Sequence, residues 1–155
     1  MAVHRMDHVG FVVEDLAGAI AFFVELGLER EGETTVEGEW VDQLVGLAGV
    51  RSDIAALRTP DGRGRVELST FHRPAATGRA PWEPANTPGI PRITFVVDGV
   101  DDVLERLRGH GAELVGQLVR YEDYCRYCYV RGPAGVIIGL VEELAAGEDQ
   151  DHGRS

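Results

Sequence analysis

The spacing of apolar residues predicts that the chain consists of two similar halves. Residues 6–13 are rich in Val and Phe and have the pattern of a half-buried strand. An apolar stripe with helical spacing follows. It lies between Asp15, a typical helix cap, and Gly27, a typical helix terminator. The first half therefore begins with a strand followed by a helix.

The remainder of the first half predicts three more strands. Residues 30–47 are polar with interspersed Val and Trp, and they indicate a strand followed by a turn of helix. Two further strands, 52–59 and 65–71, flank a Pro-Asp-Gly turn at residues 60–62. The predicted order is thus β-α-β-β-β.

The second half repeats this order. Its predicted elements are a strand at 91–98, a helix at 100–109, and strands at 113–120, 124–131 and 136–142. His8 and Arg92 are 84 residues apart, whereas the turn residues Pro60 and Pro133 are 73 apart. The difference of 11 residues predicts an insertion in the first half, around residues 40–49.

These patterns predict one domain over residues 1–144. It contains a first module at about 4–71, a linker at 72–89 and a second module at about 90–143, before a disordered tail at 145–155. A module of this size exposes one face of its sheet. We therefore expect the modules to pack together or against a partner chain.

Composition narrows the classes of function. The 155 residues carry a net charge of −11, which argues against binding to nucleic acid or to an anionic membrane. The chain contains no lysine, so Schiff-base chemistry and a Walker-type phosphate lysine are excluded. No apolar run is long enough to span a bilayer, and no signal peptide is visible, so a cytoplasmic protein is expected.

Three local motifs and the repeated order resemble the vicinal oxygen chelate superfamily, which includes glyoxalase I, bleomycin resistance proteins and extradiol dioxygenases. The motifs are Asp7-His8-Val9-Gly10, Pro60-Asp61-Gly62 with Val66-Glu67-Leu68, and Arg131-Gly132-Pro133-Ala134-Gly135. The resemblance implies an α+β fold in which two tandem βαβββ modules form a cupped, barrel-like mixed sheet with helices outside. It also implies a homodimer that binds a small molecule.

In metal-using members of this superfamily, four inward side chains hold one divalent cation such as Zn, Ni, Co, Fe or Mn. By resemblance, His8 and Glu67 match two of these ligands, while Arg92 and Gly139 stand at the other two positions. Arginine stays protonated and glycine has no side chain, so neither can be a ligand. The expected metal site is therefore incomplete, and a metal-free site is the alternative.

Strand alternation independently groups the candidate site residues. His8 shares one strand face with Gly10, and Glu67 shares another with Ser69. Glu67 and Arg92 are the candidate catalytic residues. Arg92 is expected to pair with Glu67 or to bind a substrate carboxylate or phosphate, and the alternative is a surface arginine.

Ser69, Tyr124, Tyr127 and Arg92 are the candidate substrate contacts. The four tyrosines at 121, 124, 127 and 129 could line a cavity or fill the core between sheet and helix. Tyr124 and Tyr127 face opposite ways on a strand, so only one of them can point into a cavity.

The two cysteines and His72 are weaker candidates for the site. Cys125 and Cys128 lie three residues apart, so on a strand they face opposite ways and cannot chelate one ion. His72 ends the strand that carries Glu67 and is expected to be a loop histidine, with a place in the cavity as the alternative.

The favoured hypothesis is a glyoxalase- or epimerase-like enzyme that acts on a small carbonyl or acyl metabolite beside a degenerate metal site, with Glu67, Glu122 or Glu142 as base. A metal-free binding protein of the bleomycin-resistance kind, which sequesters an antibiotic or another small molecule, is the alternative. A third hypothesis is a metal-free enzyme with Glu67 as base and Arg92 as anion clamp. Glyoxalase I and extradiol dioxygenase activities are disfavoured, because the ligands they need are missing.

Overall fold

The computed structural model describes residues 2–76, 78 and 82–144. The chain divides into two compact units, Met1–Ala80 and Pro81–Ser155. The predicted tail at 145–155 lies outside the described residues. No helix in the described part of the chain is long and apolar enough to cross a membrane.

The first unit is a four-stranded mixed sheet with two helices. In chain order its elements are β1 (Val9–Val12), α1 (Leu16–Leu26), β2 (Glu29–Glu37), α2 (Glu39–Val45), β3 (Arg51–Arg58) and β4 (Arg65–Arg73). The sheet order is β1-β4-β3-β2. β1 runs parallel to β4, and the other pairs are antiparallel.

Helix α1 begins and ends as its sequence predicts. The Asp15 carboxylate accepts a hydrogen bond from the Gly18 N–H at 2.9 Å, and Gly27 ends the helix at a φ of 124°. Phe22 and Phe23 of α1 are almost fully buried, as is Leu68 on the helix-facing side of β4. The opposite side of β4 carries Glu67 and Ser69, which are only half-buried.

The second unit is a mixed sheet with one α-helix. Its elements are β5 (Arg92–Val96), α3 (Val100–Arg108), β6 (Glu113–Leu114), β7 (Val119–Tyr121), β8 (Cys125–Arg131), a 3₁₀ turn (Pro133–Gly135) and β9 (Ile137–Glu143). The sheet order is β5-β9-β8-β6, and β7 also pairs with β8. β5 runs parallel to β9, as β1 does to β4.

In the second unit, the contact of Glu142 with α3 shows which side of the sheet faces the helix. Its carboxylate accepts a hydrogen bond from the Val100 N–H at the start of α3. Ile138 and Leu140 alternate with Gly139 along β9 and share the side of Glu142, and both are fully buried. Arg92, Thr94 and Gly139 lie on the other side.

The structure corrects several predicted boundaries. The predicted strand 113–120 is two short strands, β6 and β7, because the chain bends at Val115 and Gly116. β1 starts at Val9 because Met6 and the residues beside it are exposed and have no partner strand among the described residues. β4 continues to Arg73, two residues into the predicted linker, and α2 occupies the predicted insertion.

The α+β fold and its two modules are confirmed, and the barrel-like closure is not. In the described residues the strands form two separate mixed sheets, and neither of these closes into a barrel. The assignment of both modules to one domain stays a prediction.

Candidate functional site

His8 and Glu67 lie together in the first unit. His8 directly precedes β1, and in the parallel ladder Gly10 is the Cα partner of Glu67. This register places His8 Nε2 3.5 Å from Glu67 Oε2. The side chains remain 39% and 36% exposed, so a small molecule can reach both groups.

Asp7 orients the imidazole of His8. Asp7 Oδ2 lies 2.8 Å from His8 Nδ1, and the Arg5 guanidinium donates to Asp7 Oδ1 at 3.0 Å. The hydrogen bonds from His8 and from Arg5 hold the pKa of the Asp7 carboxyl below its ordinary value. Because Nδ1 is engaged by a carboxylate, Nε2 is the ring nitrogen presented to Glu67.

The pair has the spacing of two neighbouring ligands but does not make a complete metal site. With bonds of about 2.1 Å, two ligands of a tetrahedral ion lie about 3.4 Å apart. Within the described residues, however, no group of three or more His, Cys, Asp or Glu side chains could hold a metal. Two donors do not fit the three or four that a tight divalent site needs.

The ladders show which residues of the second unit correspond to this pair. Thr94 is the Cα partner of Gly139 in the parallel ladder, as Gly10 is of Glu67 in the first unit. Gly139 therefore stands at the position of Glu67, and Arg92 stands at the position of His8. In the first unit the glycine of this ladder pair is Gly10 on β1, whereas in the second unit it is Gly139 on β9.

Thr94 fills the space that a side chain at position 139 would need. A Cβ added to Gly139 would overlap Thr94 Oγ1 and would lie 3.1 Å from both Thr94 Cβ and Cγ2. In the first unit, a Cβ added to Gly10 would come no closer than 3.9 Å, to the backbone oxygen of Glu67. Position 139 therefore has no side chain, and Thr94 leaves no room for one.

Arg92 lies against an aromatic cluster on its side of the sheet. Its Cζ is 5.1 Å from the centre of the Tyr129 ring, which is a cation–π contact. Tyr127 meets Tyr129 edge to face at 5.3 Å, and its hydroxyl lies 3.2 Å from Thr94 Oγ1. The hydrogen bond with Tyr127 raises the pKa of Tyr129 above its ordinary value, so this phenol stays protonated at neutral pH.

The four tyrosines form two separate pairs. Tyr127 and Tyr129 lie on the side of β8 opposite Cys128 and Val130, which are buried. Tyr124 lies in the turn after β7, and its ring stacks on Tyr121 at 6.0 Å. Of the two predicted tyrosine contacts, only Tyr127 joins the Arg92 cluster. Sequence reasoning did not select Tyr129 or Thr94, although each lies two residues from a selected residue.

Two other candidate residues, His72 and Glu142, have partners outside the His8–Glu67 pair and the Arg92 cluster. His72 lies within β4, not in a loop, and its Nε2 is 2.7 Å from Asp53 Oδ2. Glu142 contacts the start of α3 and lies 3.5 Å from Arg126, so it is on the side of the sheet opposite Gly139. Ser69 shares the half-exposed side of Glu67, as predicted.

Cys125 and Cys128 have no joint role in the structure. Both are free thiols on opposite sides of β8, as the sequence predicts. Burial raises the pKa of the Cys128 thiol, which makes it a poor ligand and a poor nucleophile.

Comparisons with known proteins agree with this architecture. A glyoxalase family protein from Bacillus cereus is 47% identical, with a TM-score of 0.89 over 94% of this chain and 99% of the other. A glyoxalase/bleomycin resistance/dioxygenase domain from Frankia shares the fold at 17% identity, with a TM-score of 0.64 over 97% and 99%. The fosfomycin resistance protein FosX from Listeria monocytogenes, solved with Mn(II) and sulfate, does so at 14% identity and 0.61, over 99% of both chains.

No curated protein matches the chain. Residues 7–129, which include His8, Glu67, Arg92 and Tyr129, match the model of one protein family. The chain belongs to the glyoxalase/bleomycin resistance protein/dioxygenase superfamily.

Proposed function

We propose that this protein is an isomerase- or lyase-type enzyme that acts on a small carbonyl or acyl metabolite, with Glu67 as the proton-transfer group. The 3.5 Å contact between His8 Nε2 and Glu67 Oε2 carries this proposal. Both groups lie on the open side of the first sheet, where a carbonyl compound can approach them.

Glu67 is suited to take a proton from carbon. Its only ion-pair partner among the described residues is His8, so no arginine occupies the carboxylate oxygens. In the proposed step the C–H bond next to the carbonyl breaks, and its proton bonds to a Glu67 oxygen. The electron pair moves to the carbonyl oxygen as an enolate. A solvent proton then bonds to the opposite face of the same carbon, the electron pair on oxygen re-forms the C=O double bond, and Glu67 releases its proton to solvent, so the net change is an epimerisation.

His8 is the positioning residue of this step. Asp7 fixes its ring through Nδ1, so the Nε2 edge of the ring lies beside the Glu67 carboxylate and limits its movement. We expect loss of the His8 ring to slow proton transfer less than loss of the carboxylate, because the carboxylate forms the new bond.

The metal site is proposed to be degenerate. FosX, a member of the same fold, was solved with Mn(II), whereas this chain offers only His8 and Glu67 at the ligand positions and has Arg92 and Gly139 at the others. Elemental analysis of the purified protein tests this point. A stoichiometric divalent metal that is lost in His8→Ala would contradict it.

Solvent deuterium exchange tests the proposed chemistry without knowledge of the substrate. A panel of 2-oxo acids and acyl thioesters is incubated with the protein in D₂O, and proton NMR follows the C–H signal next to the carbonyl. Glu67→Gln should slow exchange by a factor of about 100 or more, which is the usual contribution of a general base.

The control variant is Glu14→Gln, which removes an exposed carboxylate of the same unit and should leave exchange unchanged. Exchange catalysed equally well by Glu67→Gln would refute the proposed role of Glu67.

The second candidate is a metal-free binding protein that sequesters a small molecule. The edge-to-face pair Tyr127–Tyr129 favours it, because paired rings offer a wall for a planar ligand. A ligand that raises the melting temperature, without proton exchange on any compound of the panel, would select this function.

The homodimer implied by the superfamily is likewise proposed, and light scattering tests it.

A further inference from the structure

Arg92 is placed differently from the other arginines of its sheet. Arg120 and Arg126 pair with the carboxylates of Asp123 and Asp101, and Arg131 is buried and donates to backbone carbonyls. Arg92 is exposed and has no ion pair among the described residues, although the chain carries 26 acidic residues against 15 basic ones. Its guanidinium lies instead over the Tyr129 ring.

The ring contact leaves the hydrogen-bonding capacity of Arg92 unused. The guanidinium meets Tyr129 through Cζ, its central atom, while its five N–H donors project from the edge of the plane. None of them donates a hydrogen bond within the described residues. Such a planar fork matches the two oxygens of a carboxylate or a phosphate.

The neighbouring groups add donors without adding negative charge. The hydroxyls of Thr94 and Tyr127 lie 3.2 Å apart, and the rings of Tyr127 and Tyr129 are in contact. Tyr129 is a neutral phenol at physiological pH, as an ordinary tyrosine is, and its hydrogen bond with Tyr127 raises its pKa further. Hydroxyls of this kind can donate to an anion beside the arginine.

Gly139 removes the carboxylate that would otherwise neutralise Arg92. Gly139 is the ladder partner of both Thr94 and Tyr129, and it stands where the first unit has Glu67. A glutamate there would compete for the Arg92 fork. With glycine at this position, the cluster presents a positive charge and hydroxyl donors, and the ladder position between Thr94 and Tyr129 carries no carboxylate.

We propose that Arg92, Thr94, Tyr127 and Tyr129 form a binding site for a small oxyanion, either a carboxylate or a phosphate or phosphonate group. This inference does not depend on the proposed function, because all four residues lie in the second unit.

Titration of the protein with simple oxyanions tests the site. Acetate represents the carboxylate class, and inorganic phosphate and methylphosphonate represent the other class. Binding is followed on the backbone N–H signals of Thr94 and Tyr127 in ¹H–¹⁵N spectra, which stay observable when Arg92 is replaced. We expect saturable shifts at millimolar concentration, and the class with the lower dissociation constant is the one that the site prefers.

Variants separate the site from general charge effects. Arg92→Gln should weaken binding by about tenfold or more, since it removes a charged fork. Arg120→Gln makes the same charge change on another exposed arginine of this unit and should bind as the wild type does. Tyr129→Leu removes the ring under Arg92 and should weaken binding, whereas Tyr129→Phe keeps the ring and should retain most of it.

Three results would overturn the inference. One is the absence of saturable binding by any of the three anions. The second is equal binding by wild type and Arg92→Gln, and the third is an equal loss of binding in Arg92→Gln and Arg120→Gln. If Arg92→Gln is misfolded by circular dichroism, Arg92→Lys serves instead, because it keeps the charge and loses the fork.

Glu67→Gln separates this inference from the proposed function. This variant should bind the anions as the wild type does even when it no longer catalyses exchange. Anion binding without proton exchange by the wild type would leave the oxyanion site standing and would refute the catalytic proposal.

Discussion

A single methyl group at position 139 should destabilise the second unit. Gly139 is a buried strand residue whose φ lies outside the left-handed region, so alanine meets no backbone strain there. The obstacle is Thr94, whose Cβ and Cγ2 would each lie 3.1 Å from the new methyl group and whose Oγ1 would overlap it. Rotation of the Thr94 side chain can move Oγ1, but it cannot move Cβ.

Two opposing effects set the magnitude. Overpacking of this kind costs about 1–3 kcal/mol, and replacing a strand glycine by alanine returns about 0.5–1 kcal/mol of chain entropy. The free energy of unfolding of Gly139→Ala should therefore fall by about 0.5–2 kcal/mol. Rotation of Thr94 away from the methyl group would also break its 3.2 Å contact with the Tyr127 hydroxyl.

Urea denaturation of a double-mutant cycle measures the effect. Thr94→Gly alone should cost about 0.5–1 kcal/mol as a strand glycine, and the double variant should be more stable than the sum of the single variants by about 1–2 kcal/mol. Gly10→Ala is the matched control. Its methyl group would come no closer than 3.9 Å to another group, so it should be neutral or stabilising. A Gly139→Ala protein as stable as the wild type, or no coupling to Thr94→Gly, would refute the steric account.

Three further predictions follow from packing, charge and the comparison of the two units. Leu68→Ala should lower the free energy of unfolding by about 2–5 kcal/mol because Leu68 is fully buried, whereas the exposed Val96→Ala should change it by less than about 0.5 kcal/mol in the same urea series. Arg126→Gln should raise the pKa of Asp101, which Arg126 now holds low through a 3.0 Å hydrogen bond. The stability that this pair contributes is present above the unfolded pKa of Asp101 and is lost as the pH falls through the folded pKa. NMR titration of the Asp101 carboxyl measures the change, and an unchanged pKa in Arg126→Gln would contradict the role given to Arg126. The triple variant Arg92→His, Thr94→Gly, Gly139→Glu copies the first unit's His8, Gly10 and Glu67. It should be more stable in urea than Gly139→Glu alone, because it lacks the Thr94 side chain that the new glutamate would meet, and equal stability of the two variants would contradict the steric account.

The sequence predicts the order of elements and the sides on which residues lie, because both follow from local spacing. Asp15 and Gly27 bound α1 as expected, and alternation places Glu67 and Ser69 on one side of β4. It does not predict lateral neighbours, since these depend on which strands pair and in what register. The contact of Thr94 with the Gly139 position arises because β5 lies beside β9 in parallel, and no local pattern encodes that. The bend that divides residues 113–120 was missed for a similar reason: both short strands pair with β8, and the pattern of one strand describes them equally well.

The differences between the two units behave as one coupled set. Restoring a glutamate at position 139 alone would drive its side chain into Thr94, and restoring a histidine at position 92 alone would leave it without a carboxylate. Removing Thr94 alone would leave a glycine pair in the middle of a parallel ladder. Each single step toward a second His–Glu pair therefore costs stability or gives no metal ligand set. Arg92, Thr94 and Gly139 are instead compatible with one another: Arg92 supplies a positive charge, Thr94 supplies a hydroxyl, and Gly139 adds no carboxylate. At matching ladder positions the first unit has an imidazole and a carboxylate, whereas the second has a guanidinium and a hydroxyl, which are hydrogen-bond donors for an anion such as the proposed oxyanion.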